Sequence, residues 1–232
     1  MNKVNKIKSF IQLDFLTIKP YFTLKNVSIY AVIVLILSMF SGNIASGMGV
    51  GMMLGTMYIS YPFAVGEKSN MDALYAVLSI SRKTAVLARY LYSLITNCFT
   101  IIFFYIISAA GLLVSMMTGN EVDLRISAAT VFILAVLMAV VEAFQLPAFF
   151  KHGYSKAKFI SVVPFAIIAA GIFMITVIER FGLIDSASED NIINFIMSIP
   201  HGYIIAAACL LIFAVLYGSY RLSLKYYSKR EF

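Results

Sequence analysis

Long uncharged apolar runs separated by short polar gaps organise this chain. From Asn26 to Gly66 no charged residue occurs, a stretch roughly twice the ~20 apolar residues that a helix needs to cross a bilayer once. Such a stretch must hold two helices. Further charge-poor runs extend from Tyr90 to Asn120, from Ile126 to Phe150 with Glu142 as the sole interruption, from Phe159 to Ile178 and from Asn191 to Tyr220. The pattern predicts an all-α, polytopic membrane protein with six transmembrane helices over 27–45, 48–66, 86–116, 126–148, 159–179 and 201–219.

Two pieces outside the spans also carry helical patterning. Lys3 to Phe22 mixes Val4, Ile7, Phe10, Ile11, Leu13, Phe15, Leu16 and Ile18 with Lys3, Lys6, Lys8 and Lys19. This suits an N-terminal interfacial elbow helix over 3–22, its apolar face in the acyl region and its lysines among phosphates, ended by Pro20. It serves either as a basic topological anchor or as a device that steers the first span against a partner subunit. Between the second and third spans, Glu67 to Arg89 reads EKSNMDALYAVLSISRKTAVLAR. Asn70 suits a cap for a short helix, Asp72 falls in its favourable first turn, and Met71, Leu74, Tyr75 and Leu78 form its apolar set. That helix is either a docking element or part of a simple positive-inside loop.

Composition closes off other classes. Of 232 residues, 61% are hydrophobic and 12% charged, with mean hydropathy +0.91, where a soluble domain carries roughly 25% charged residues. Six spans leave no room for a separate soluble domain such as a nucleotide-binding one. The first span is preceded by a basic amphipathic stretch with no small-residue cleavage site, so it does not read as a removable signal peptide.

The placement of charge sets the expected orientation. One side receives sixteen cations: Lys3, Lys6, Lys8, Lys19, Lys25, Lys68, Arg82, Lys83, Arg89, Lys151, Lys156, Lys158, Arg221, Lys225, Lys229 and Arg230. The other receives only Arg125 and Arg180. By the positive-inside rule both termini are expected in the cytoplasm of a multi-pass cell-membrane protein. The net charge of +7 then needs no nucleic-acid partner, because juxtamembrane cations facing anionic headgroups account for it.

Candidate chemistry is sparse. Cys98 and Cys209 fall near the middle of two spans, where they behave as small apolar residues, and His152 and His201 lie on opposite sides of the membrane. No metal site is expected. Nucleotide-binding, hydrolase-elbow and zinc-protease motifs are absent, as are paired acids within the spans, so no catalytic residue is assigned. Glu142 is the one acid inside a span and should face protein or water. It lies about seven residues, ~10 Å, from the inner boundary, and Arg89 begins the third span on the same side, so a Glu142–Arg89 polar contact is geometrically available. A cavity-lining substrate contact and a proton relay, for which a lone acid is poorly suited, are the other readings of Glu142. The glycines and methionines of the second span (Gly47, Gly49, Gly51, Met52, Met53, Gly55 and Met57) permit close helix approach or an adaptable surface.

The loop LSISRKTAVLARY, following a short acidic Asn-containing helix, resembles the first cytoplasmic loop of small ABC-2-type transporter permeases. LPAFFKHGYSKAKF, from Leu146 to Phe159, resembles their second. Ser79 departs from the family pattern, where proline is common. Within that family the chain is similar to permeases of phenol-soluble-modulin (Pmt-type) peptide exporters. The resemblance spans the chain and implies one permease domain over 1–232 in the ABC-2 (type V) exporter fold. It implies an ATPase-coupling helix in the loop 67–85, carried by Met71, Asp72, Leu74, Tyr75, Leu78 and Arg82, and an external re-entrant segment over 181–200. The implied partners are two ABC ATPase subunits, which would hold the ATP and Mg, and a second permease chain in a homo- or heterodimer. The implied cargo is hydrophobic or amphipathic, for example a small membrane-active peptide moved outward. The competing readings are a standalone immunity or assembly protein and an ion-coupled carrier.

Overall fold

The computed structural model describes residues 3–71, 74–75, 80–119, 126–180 and 201–229. These are helical, with no strand among the described residues. In chain order they are α1 (Lys3–Ile18), α2 (Leu24–Ser41), α3 (Ile44–Lys68), α4 (Arg82–Met117), α5 (Ile126–His152), α6 (Tyr154–Ile160), α7 (Val163–Arg180) and α8 (His201–Ser228). Five stretches among them are long and apolar enough to cross a membrane: Leu24–Ser41, Ile44–Lys68, Arg82–Met117, Val131–His152 and Tyr154–Gly171.

The uncharged run that had to hold two helices does so, breaking at Gly42 and Asn43. Gly42 takes a left-handed φ of 60°, open to glycine without a Cβ penalty. The Asn43 side chain then accepts from the Ala45 N–H at 2.8 Å and starts α3. A two-residue turn makes α2 and α3 antiparallel neighbours, and α4 packs along both. The fit is close because α3 presents glycine every fourth residue. A Cβ on Gly47 would strike Ser38 of α2, one on Gly51 the Phe104 ring of α4, and one on Gly55 Thr100 of α4. Gly49, on another face, meets nothing.

Prolines inside α3 and α5 lock the bundle rather than break it. Proline has no N–H, so the carbonyl four residues earlier loses its helical donor. Pro62 thereby frees the Tyr58 carbonyl, and the Tyr92 hydroxyl of α4 donates to it at 3.0 Å. Pro147 frees the Ala143 carbonyl, and the Ser219 hydroxyl of α8 donates to it at 2.8 Å. With its hydrogen committed there, Ser219 accepts from Tyr90 of α4 at 2.6 Å, and Ser223 joins the same phenol at 2.8 Å. Each freed carbonyl becomes a tie between helices, as hydrocarbon requires.

Several boundaries depart from expectation, among them that of α8, which runs to Ser228 rather than ending at 219. α4 starts at Arg82 and runs 36 residues, ~54 Å, well beyond a ~30 Å hydrocarbon core. The fifth run begins earlier than 159, at Tyr154, and is interrupted at Ser161–Val162. Pro164 explains the interruption, because it cannot donate to Ile160 and disfavours helical backbone in the residue before it. α1 ends at Ile18, with a turn through Lys19 and Pro20. It is not laid free against lipid: Phe10, Asp14 and Ile18, spaced by four on one face, are buried, with α3 and α4 as its neighbours, while Leu16 remains 64% exposed.

Candidate functional site

The polar ends of several elements converge at the lysine-rich end of the bundle. Arg82 donates to the Ser228 carbonyl, tying the start of α4 to the end of α8. The Lys151 ammonium of α5 lies 5.0 Å from the centre of the Tyr226 ring, and Phe150 packs on Tyr227. Glu67, at the end of α3, accepts from the Ser155 N–H at 3.0 Å. That bond caps α6, whose N-cap Gly153 has no side chain to do so and sits at φ 74°, ψ 172°, a conformation essentially confined to glycine. A carboxylate is also favoured at a helix N-terminus. The two loops singled out in the sequence are thus joined at their bases.

Arg89 stands at the centre. Its Nε lies 2.9 Å from Asp14 of α1, and its guanidinium sits over the Phe63 ring of α3 at 4.4 Å and that of Phe10 of α1 at 5.7 Å. The Tyr75 hydroxyl accepts a hydrogen bond from it, and Tyr227 of α8 faces it. Arginine suits such a place because one planar cation serves a carboxylate, a phenol and ring faces together. Burial pushes the Asp14 carboxyl up from 3.8 to about 6, the attraction of Arg89 countering only part of the rise. Desolvation therefore outweighs pairing, as is common for buried ion pairs.

This arrangement corrects two expectations. Arg89 pairs with Asp14 and not with Glu142, because the buried side of α4 at residue 89 faces α1 and α3. Glu142, fully buried on α5, has Asn97 and Ser93 of α4 as its polar neighbours, about two turns and one turn beyond Arg89. Depth alone suggested the wrong partner. The apolar set of the expected coupling loop also divides. Tyr75 is 5% exposed and packs on Phe10 with ring centres 4.8 Å apart, so it belongs to the chain's own core. Met71 is half-buried against that core, whereas Leu74 is 44% exposed. Residues 71, 74 and 75 share the spacing of one helical stripe, and the chain's own packing covers the Tyr75 side of it while leaving the Leu74 side open. Arg82 bonds within the chain. Asp72 and Leu78, and the expected external segment 181–200, lie outside the described residues.

Asp14, Phe10, Phe63, Tyr227 and Glu67 were not identified from the sequence as parts of a site. For Asp14 a signal existed: it is the lone acid in a basic segment, four residues after Phe10 and four before Ile18 on one stripe. Both cysteines are free and exposed. Among the described residues, no three His, Cys, Asp or Glu side chains come together as a metal-binding group.

Neither a curated protein nor a solved structure matches the chain. The family model of the ABC-2 family transporter proteins, by contrast, matches residues 9–228. That match covers every helix described above except the first turns of α1, with both joined loops inside it. This multi-pass membrane chain therefore belongs to the ABC-2 family of transporter proteins, as a transmembrane subunit of an ABC transporter.

Proposed function

We propose that the chain is the permease half of an ATP-driven exporter. In this reading six helices span, with α8 as the sixth, α1 is the interfacial elbow, and both termini are cytoplasmic. Two such permeases work with two ABC ATPase subunits that hold ATP and Mg, and the cargo is hydrophobic or amphipathic, for example a small membrane-active peptide moved outward. The chain supplies the path and the mechanical linkage, and its partners supply the chemistry.

The observation that carries the reading is the division of labour between Leu74 and Tyr75 on one short helical segment. Leu74 is presented outward, free to enter a cleft on an ATPase. Tyr75 is fixed inward on Phe10 and Arg89. A push on the segment is then delivered to the elbow helix and, through Arg89, to the base of α4. The joined loops at Glu67 and Ser155 carry it to α6.

Because one residue is buried and the other exposed, their variants separate docking from folding. Leu74→Ala should cut co-purification of a co-expressed ABC ATPase about tenfold or more, as loss of an interface anchor does, and leave the melting temperature of the purified permease unchanged. Tyr75→Ala should lower that melting temperature by removing a buried aromatic. Normal ATPase recruitment by Leu74→Ala would exclude this segment as the docking element.

A further inference from the structure

An apolar groove of about 610 Å³ lies between α1, α2, α3 and α4, within the size range of dedicated ligand sites. Its floor runs along α4 through Ile95, Phe99 and Phe103, with Phe15 of α1 and Tyr30 of α2 among its walls and Lys19 in its lining; Phe15 packs on Tyr92 and Phe22 on Phe99, so Lys19, between them in the chain, falls toward the Ile95 end. Lys19 is exposed, and no described carboxylate pairs with its ammonium group. The groove therefore has one charged end and an otherwise apolar length. Ile95 to Phe103 rises ~12 Å along α4, close to the ~15 Å depth of one hydrocarbon leaflet, and starts six residues beyond Arg89. An amphiphile with its anion at Lys19 would have its chain running inward at the depth and in the direction of a leaflet lipid.

We propose that this groove holds an acyl chain of one anionic phospholipid from the leaflet at the lysine-rich end, with the phosphate on Lys19. The apolar lining gives little preference by itself, because a lipid tail leaves equally apolar surroundings to enter it. Selectivity comes from the cation at the mouth, and a juxtamembrane lysine enriches anionic lipid about fivefold. This ligand is distinct from the exported cargo and does not depend on the direction of transport.

The full chain in nanodiscs of equal phosphatidylglycerol and phosphatidylcholine, released for native mass spectrometry, tests the proposal. The wild type should retain one lipid, with phosphatidylglycerol favoured about fivefold. Lys19→Glu should abolish the preference, Ile95→Trp should reduce retention of either lipid by narrowing the floor, and Lys8→Glu, on α1 away from the groove, should change neither. Equal retention of the two lipids by the wild type, or a preference that survives Lys19→Glu, would overturn the proposal. Displacement of the retained lipid by an equimolar amphipathic helical peptide would reassign the groove to cargo and overturn it as well.

Discussion

Arg89 is a permanent cation withdrawn almost wholly from water, and the groups around it come from α1, α3, the segment that holds Tyr75 and α8. Its value lies in fixing how these elements meet, because the ion pair with Asp14 adds little stability. The folded chain holds Asp14 near 6 against 3.8 for a free carboxyl, so between those values it binds a proton that the unfolded chain has released. This contribution to stability is complete below 3.8 and disappears as pH rises through about 6. Asp14→Asn, which cannot titrate, should thus remove the rise in melting temperature expected of the wild type as pH falls from 6 to 4. Arg89→Ala should cost ~2–5 kcal/mol, since it empties the space its long side chain fills. If Asp14→Asn proved the more damaging variant at pH 7, pairing rather than burial would dominate the site.

Helices in this chain are joined where their own hydrogen bonding fails. A carbonyl deprived of its donor by proline is an unsatisfied acceptor in a dry environment, worth ~1–3 kcal/mol if left bare, and hydroxyls of neighbouring helices occupy the two freed by Pro62 and Pro147. Tyr92→Phe should therefore destabilise by ~0.5–2 kcal/mol, within the range of hydrogen bonds between membrane helices. In a Pro62→Ala background the Tyr58 carbonyl regains a helical N–H, so the same change should cost much less. A double-mutant cycle on thermal unfolding in detergent reads this coupling. Strict additivity would mean that the Tyr92 hydroxyl does not substitute for the missing amide. The same logic applies to Ser219 and Pro147.

Taken whole, the molecule is polarised. The ends of α3, α5 and α8 and the start of α4 are held together by Arg82–Ser228, Glu67–Ser155 and Lys151–Tyr226, and these are the ends that carry the cations. The far end has the Gly42–Asn43 turn and the C-terminus of α4. Single cysteines at Ser69, Ser155 and Ser228, in a chain with Cys98 and Cys209 replaced, should resist an impermeant thiol reagent on whole cells. Cysteines at Thr118 and Ser186 should react. Labelling at Ser155 without labelling at Ser186 would invert the assignment. Labelling in the expected pattern would put the exposed Leu74 on the side of the membrane that holds ATP.

The sequence by itself determined the class of this protein. Apolar runs longer than a bilayer is thick, with the cations confined to one set of gaps, dictate helices that cross a membrane, because hydrocarbon tolerates neither bare backbone nor charge. It also determined that the first uncharged run must turn back on itself, and it marked both loops that the structure joins at their bases. Partners across helices were decided only by the tertiary structure. Residue spacing gives the depth of a side chain but not the azimuth of its helix relative to its neighbours. Arg89 was therefore matched by depth to Glu142 when rotation of α4 turns it to Asp14, and Leu74 and Tyr75 were grouped as one face when packing of Phe10 claims only the tyrosine. The proline ties were hidden for the same reason: the sequence shows which carbonyl is deprived of its donor, and only the packing shows whose hydroxyl reaches it.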